Sequence, residues 1–216
     1  MKRTTILKTL ATTACIALAL PGIAQEGAAA PAQFRVVVIQ GAGVAPGSEK
    51  PKHADAITGA TSKEINTYTL TDALAAKLKA IGGDVAVVPF YECADLACLK
   101  ASEDGKRKAA DAVVFAGAVH NGPFPKPLTA LFPKLKDVVA AKPGLVGSAI
   151  ACGASGKGAT ALEGAAKAFK DAGAISVEGA AFASGNMLKN ASKPDEIDTA
   201  MTALAERIRA AVAPAK

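Results

Sequence analysis

Short apolar runs alternate along the chain with longer amphipathic stretches. Five runs rich in β-branched residues cover positions 36–39, 85–88, 113–115, 145–150 and 175–177. Their starts are separated by 49, 28, 32 and 30 residues, and the last three intervals match the length of a βα unit. Strands that are apolar on both faces are typical of a parallel sheet covered by helices on both sides. The longer first interval predicts an insertion between strand 1 and helix 1.

Four amphipathic stretches predict helices. They span 69–81, 128–139, 159–172 and 195–212, and Pro133 interrupts the second. In the first stretch, Leu70, Leu74 and Leu78 recur every four residues, as on one face of a helix. The pattern predicts the α/β class, with a three-layer α/β/α sandwich around a five-stranded parallel sheet.

The N-terminus resembles a secretory signal. A basic start with Lys2, Arg3 and Lys8 precedes an apolar segment over 10–20, and small residues at 22 and 24 follow Pro21, as signal peptidase requires. We therefore predict a signal peptide over 1–24, a flexible lead-in over 25–33 and one domain over 34–214. The mature protein is expected in a bacterial periplasm or secreted, and soluble.

Charge excludes some partners. Loss of the signal peptide leaves 22 basic residues against 19 acidic ones, a net charge of +3. This charge is too weak to indicate a nucleic-acid partner. No later apolar run approaches the roughly 20 residues of a membrane span.

The three remaining cysteines are Cys93, Cys98 and Cys152. The first two are close enough to form a small disulfide loop in an oxidising compartment, although redox or metal chemistry stays open for this pair. We expect Cys152 to be a buried, apolar-like residue at a strand end. His53 and His120 lack the spacing of metal ligands, so we predict no metal site.

Small polar residues follow strands 1, 3 and 4, where open parallel sheets bind ligands. After strand 1, hydroxyls and backbone N–H groups at a helix start suit a phosphate; an N-cap in a solvated loop is the alternative. A proline-stiffened loop after strand 3 suits a flat ring with polar edges. Glycines after strand 4 permit close approach of a ligand. The candidates in the three loops are Thr58, Gly59, Thr61, Ser62, Asn66 and Thr67; His120, Asn121, Gly122 and Phe124; and Gly153, Ser155 and Gly156.

Three segments resemble the flavodoxin-like NADPH-dependent FMN reductases. They read NTYTLTDALAAKLKAIGGDVAVV, ADAVVFAGAVHNGPFPKPLTALF and AIACGASGKGATALEGAAKAFKDAGA, and the similarity covers residues 34–180. The family has an S-N-T start to helix 1, an N-G-x-x-P loop after strand 3 and a G-A-S-x-G loop after strand 4. The resemblance implies strand order 2-1-3-4-5, an FMN cofactor and a homodimer.

Carried over by position, the resemblance implies specific contacts. Asn66 and Thr67 would contact the FMN phosphate, Asn121 and Gly122 would border the isoalloxazine, and Ser155 and Gly156 would line its far side. Phe124 is the candidate for stacking on the ligand. A neutral His120 beside the flavin would relay a proton.

The sequence also departs from this family. About twenty residues replace the G-S-x-R loop and remove its arginine, and His120 and Ala118 stand where the family has Tyr and Pro. Within the insertion, positions 55–61 resemble the D-x-x-[ST]-G-A-T motif at which FMN is attached covalently to threonine, here Thr61.

Three functions follow as hypotheses. The first is an exported FMN oxidoreductase that passes electrons or hydride to a small acceptor such as a quinone. The second is a flavin electron carrier, with FMN covalently attached at Thr61 as one form. The third is a flavodoxin-fold binding module without flavin. Because an exported protein meets little soluble NAD(P)H, we expect a periplasmic or membrane electron donor.

Overall fold

The elements alternate as the apolar pattern predicts. A computed structural model describes residues 34–41, 66–119, 122–153, 158–183 and 192–212, all within the unit Pro31–Lys216. The strands are β1 (Phe34–Gly41), β2 (Gly83–Pro89), β3 (Ala112–Val119), β4 (Val146–Gly153), β5 (Ile175–Ser176) and β6 (Ala180–Ala183). The α-helices are α1 (Thr67–Ala80), α2 (Lys126–Thr129), α3 (Leu135–Ala141), α4 (Gly158–Asp171) and α5 (Pro194–Val212).

The strands form one parallel sheet. β1 pairs with β2 on one side and β3 on the other, β3 pairs with β4, and β4 pairs with both β5 and β6. The order β2-β1-β3-β4-β5 confirms the predicted 2-1-3-4-5 arrangement. Flanking helices make it a doubly wound α/β fold.

The last strand differs in detail from the prediction. Instead of one run over 175–177, β5 pairs with the start of β4 and β6 pairs with its end. Between them, a Cβ at Gly179 would overlap the carbonyl oxygen of Ala149. The chain therefore passes too close to the β4 backbone at this point for any residue with a side chain.

Each face of the sheet packs against its own helices. On one face, Val36 and Val38 lie in a cluster with Leu70 and Leu74 of α1 and with Met201 of α5. The opposite face has its own buried cluster, with members from β1, α2, α3 and α4. These include Val37, Ile39, Leu128, Leu135 and Phe169. Alternate side chains of β1 thus point into two separate cores, which explains its continuous apolar run.

Element ends shift by a few residues from the predictions. The predicted helices 69–81, 159–172 and 195–212 are observed as α1, α4 and α5. The stretch predicted over 128–139 with an interruption at Pro133 is observed as α2, a 3-10 turn at Phe132–Lys134 and α3, so the predicted interruption is confirmed. Pro133, which lacks an N–H group and cannot continue an α-helix, lies in that turn. Among the described residues, no helix combines the length and apolar character needed to cross a bilayer.

Candidate functional site

The carboxyl ends of three neighbouring strands lie at one edge of the sheet. Gly41 at the end of β1 pairs with Gly117 of β3, and Val119 at the end of β3 pairs with Gly153 at the end of β4. In a doubly wound sheet this edge is where ligands bind. The three loops with predicted ligand-binding residues therefore begin beside one another.

Asn66 is the N-cap of α1. Its Oδ1 accepts hydrogen bonds from the backbone N–H groups of Tyr68 at 2.8 Å and Thr69 at 3.1 Å. The Thr69 hydroxyl oxygen in turn accepts the Asn66 N–H at 2.8 Å, which completes a capping box. The N-cap alternative is thus observed, and a phosphate at this helix start would meet N–H groups that already have acceptors. The predicted Asn66 phosphate contact stays a prediction.

Thr67 and Cys152 connect the start of α1 to the end of β4. Each is 3% exposed, and the Thr67 hydroxyl lies near enough to the Cys152 thiol to influence its pKa. Burial raises the pKa of Cys152 to about 11, and the hydroxyl lowers it to a lesser degree. The thiol is therefore neutral near pH 7.

The structure confirms that Cys152 is buried near a strand end. It is a free cysteine. Its contact with Thr67 was not predicted, because nothing in the sequence indicates that these two positions become neighbours.

A second buried polar contact, missed by the sequence analysis, lies beneath the first turn of α1. The Gln40 side chain on β1 donates from Nε2 to the Thr71 hydroxyl oxygen at 2.7 Å. Thr71 then donates to the carbonyl oxygen of Tyr68 at 2.9 Å. The one signal in the sequence is a glutamine directly after an apolar strand run.

Tyr68, in the first turn of α1, lies near Tyr91, which follows the end of β2. Burial raises the pKa of the Tyr68 hydroxyl, with a smaller contribution from Tyr91. Tyr91 packs edge-on against Phe90, with ring centroids 5.6 Å apart. Both aromatic residues directly follow β2. The Tyr68 hydroxyl therefore keeps its proton near neutral pH.

Two glycines shape the loops after β3 and β4. Gly122 has a φ of 127°, which favours glycine, and a Cβ built there would meet no atom within 4 Å. By contrast, a Cβ at Gly153 would overlap the carbonyl oxygen of Val119. Gly122 is therefore open to an approaching ligand, and Gly153 allows β3 and β4 to approach closely at their ends.

Phe124 lies in the core. The ring is 3% exposed, and it packs in the cluster that includes Leu128. A Cβ at Gly117 would stand 2.8 Å from the ring, so the ring covers the end of β3. The predicted stacking of Phe124 on a ligand stays a prediction.

Most of the predicted loop residues lie outside the described part of the chain. Their predicted roles remain predictions. They are Thr58, Gly59, Thr61, Ser62, His120, Asn121, Ser155 and Gly156.

Cys93 and Cys98 form a disulfide bond after β2, with their Cα atoms 5.5 Å apart. Cys93 and the enclosed Leu96 are fully buried. Leu96 has a φ of 60°, a conformation that leucine rarely adopts. The Cys98 carbonyl accepts a hydrogen bond from Arg35 at 3.3 Å. These contacts favour a structural role for the bridge. The described residues contain no group of three side chains suited to hold a metal ion.

A cleft of about 370 Å³ lies on one helical layer. It is lined by Thr129, Phe132, Pro133, Lys136, Ala168, Asp171 and Ala172. None of these residues belongs to the predicted site.

Comparisons with known proteins support the fold. No family model matches the chain, and no curated protein matches its sequence. Among solved structures, the Streptococcus pneumoniae TIGR4 flavodoxin is 17% identical over 82% of this chain and 97% of its own, with a TM-score of 0.54.

Two further structures have similar scores. An oxidoreductase from Corynebacterium diphtheriae is 13% identical over 85% of this chain and 99% of its own, with a TM-score of 0.51. Rubredoxin oxygen:oxidoreductase from Desulfovibrio gigas is 14% identical over 85% of this chain but 38% of its own, with a TM-score of 0.53. Similarity at these identities shows the fold alone. With its strand order and flanking helices, this chain has the flavodoxin-like α/β fold.

Proposed function

We propose that this protein is an exported, FMN-binding oxidoreductase that passes electrons or hydride to a small acceptor such as a quinone. One observation carries the proposal: the start of α1 and the ends of β3 and β4 meet at the ligand-binding edge of a flavodoxin-like sheet. Each of these ends leads into, or out of, a loop rich in glycine, hydroxyl and amide groups. A fold alone does not specify a function, so the proposal depends on these three loops.

Each of the three loops would contact a different part of the cofactor. Residues 58–62, with Asn66 and Thr67, would hold the phosphate near the N-terminus of α1, where the helix dipole favours negative charge. Asn121 and Gly122 would border one side of the ring, and residues 153–156 the other. When bound, FMN supplies a ring that accepts and donates electrons.

Two of the described residues are compatible with such a group. Gly122 leaves open space for a ring edge. Cys152, buried beneath the site, is a neutral thiol because its pKa is raised to about 11. It therefore adds no negative charge next to a phosphate. His120 at the ring edge would move the proton that accompanies reduction.

Under this proposal, the periplasmic location of the protein determines which electron donor it meets. In the periplasm, electrons would come from a periplasmic or membrane partner rather than from soluble NADPH. Two copies of the chain would pair as a homodimer, as the family resemblance implies.

The alternative function is a flavin electron carrier that has no small substrate, with FMN attached covalently at Thr61 as one form. The D-x-x-[ST]-G-A-T pattern over 55–61 favours it. In this case electrons would pass between protein partners, and no turnover of a small acceptor is expected.

The visible absorption spectrum of the mature protein, purified from an exporting host, tests the proposal. We expect flavin bands, with the colour released into the supernatant after acid precipitation. Colour that stays in the pellet, and that is lost in Thr61→Ala but not in the control Thr202→Ala in α5, would establish covalent attachment. A colourless protein that also fails to bind added FMN would overturn both redox functions and leave the binding module.

Turnover then separates the enzyme from the carrier. Anaerobic oxidation of the reduced protein by a soluble quinone, followed at the flavin bands, should be fast for an enzyme. A His120→Gln variant should slow it while leaving FMN bound. No reaction with the quinone would favour the carrier.

A further inference from the structure

The buried contact between Gln40 and Thr71 joins the end of β1 to the first turn of α1. Gln40 is 5% exposed and Thr71 is fully buried. The amide of Gln40 donates to Thr71 at 2.7 Å, and Thr71 donates to the Tyr68 carbonyl at 2.9 Å. The side-chain amide, the hydroxyl and the backbone thus form a short chain of hydrogen bonds inside the protein.

Packing alone does not require polar side chains at these two places. Neighbours in the same layer, including Val38, Leu70 and Leu74, are apolar, and valine has nearly the shape of threonine. Replacing a buried polar pair by apolar groups of the same shape is often close to neutral for stability. A satisfied polar network, however, accepts only one geometry and rigidifies its surroundings. The pair is therefore better explained by the position it imposes on α1 than by the stability it adds.

The first turn of α1 is held from a second direction as well. Leu70 in this turn packs in one buried cluster with Cys152 of β4, whereas Gln40 lies on β1, and β3 separates these two strands. Contacts to both β1 and β4 limit rotation and sliding of the helix start across the sheet edge. Asn66, the N-cap of the same turn, shares this fixed position.

We infer that Gln40 and Thr71 are positioning residues that hold the start of α1 at the phosphate of a bound flavin, and thereby make the site prefer FMN over riboflavin. The inference rests on the proposed function. Neither side chain contacts the ligand under this inference, since both act through the helix start.

Flavin titrations of the apoprotein test the inference. FMN and riboflavin share the ring and differ in the phosphate, so the ratio of their dissociation constants isolates recognition of the phosphate. We expect the wild type to prefer FMN. Thr71→Val and Gln40→Leu should each reduce this preference about fivefold, the effect of one hydrogen bond. Thr71→Ser, which keeps the hydroxyl, should retain the preference.

Thr202→Val is a matched control. The Thr202 hydroxyl also donates to a backbone carbonyl, that of Asp198 within α5, at 2.9 Å. Its removal should leave the FMN-to-riboflavin ratio unchanged. A loss of packing or stability alone would weaken both flavins equally and would also leave the ratio unchanged.

The outcomes are distinct. An unchanged ratio in Thr71→Val, with a melting temperature near that of the wild type, would overturn the inference but not the proposed function. Equal binding of both flavins by the wild type would also overturn the inference and leave the proposed function standing. Failure of the wild type to bind either flavin would overturn the proposed function itself. If Gln40→Leu does not fold, the comparison of the nearly isosteric variants Thr71→Val and Thr71→Ser still tests the inference.

Discussion

The ring of Phe169 on α4 occupies the space that a side chain at Gly147 of β4 would need. This ring stacks on Phe115 of β3, with centroids 5.6 Å apart and planes 19° apart. Phe115 also packs against Phe132, at 5.2 Å. The glycine therefore lets a helix approach the sheet closely enough for three aromatic rings to fill one core.

A substitution at Gly147 tests this relationship. Gly147→Ala would place a methyl group into the Phe169 ring, and overpacking of a core typically costs about 1–3 kcal/mol. We expect a loss of this size in the free energy of unfolding, measured by urea denaturation. Gly164→Ala in α4 is the control, because its Cβ meets nothing within 4 Å and alanine favours a helix by about 0.5–1 kcal/mol. Equal effects of the two substitutions would contradict the prediction.

The buried thiol of Cys152 should make stability depend on alkaline pH. Its pKa rises from an ordinary 9.0 to about 11 in the folded state. Below pH 9 the thiol is protonated in both states, so stability does not change. Between pH 9 and pH 11 the thiol of the unfolded chain loses its proton before the thiol of the folded protein does. This difference favours unfolding by about 2 kcal/mol at most over this interval.

Comparison with Cys152→Ala isolates this effect from the titration of lysines. The free energy of unfolding of the wild type should fall more steeply than that of the variant between pH 9 and 11. Parallel curves over this interval would show that the thiol does not titrate differently on folding.

Reduction of the bridge between Cys93 and Cys98 should destabilise the protein. The bridge closes a short loop with a sequence separation of 5, and chain-entropy arguments give about 2 kcal/mol for a loop of this length. Urea denaturation with and without a reductant measures the loss. The variant Cys93→Ser/Cys98→Ser should show the lower stability in both conditions. A reductant effect that persists in this variant would assign the loss to some other group.

A negative charge introduced at the N-cap should weaken cofactor binding without changing the stability of the helix. Aspartate caps a helix as well as asparagine does, so Asn66→Asp should keep the melting temperature. Under the proposed function its carboxylate would repel the FMN phosphate and weaken binding. This loss should shrink as salt is added, because salt screens exposed charges.

Asn66→Ala, unlike Asn66→Asp, should reduce the stability of the protein. It removes the acceptor for the Tyr68 and Thr69 N–H groups and should cost about 1 kcal/mol of stability. Unaltered FMN affinity in Asn66→Asp at low salt would place the phosphate away from this helix start.

Much of the fold could be predicted because its signals are local. The apolar runs of β1 and β3, and the leucines of α1, repeat with the period of the structure that they form. The capping box of α1 also lies within four consecutive residues, Asn66–Thr69. The end of β4 was predicted three residues too early, because Ala151, Cys152 and Gly153 have little strand preference. Pairing with β3 and β6 makes them a strand.

The sequence by itself determined the alternation of strands and helices, the disulfide spacing and the loops from which a ligand site would be built. Only the tertiary structure decided the contacts of Gln40 with Thr71 and of Thr67 with Cys152, the burial of Phe124 and the division of the last strand. Periodicity reports which face of an element is buried. It does not report which distant side chain that face meets, because that depends on how several strands and helices pack together.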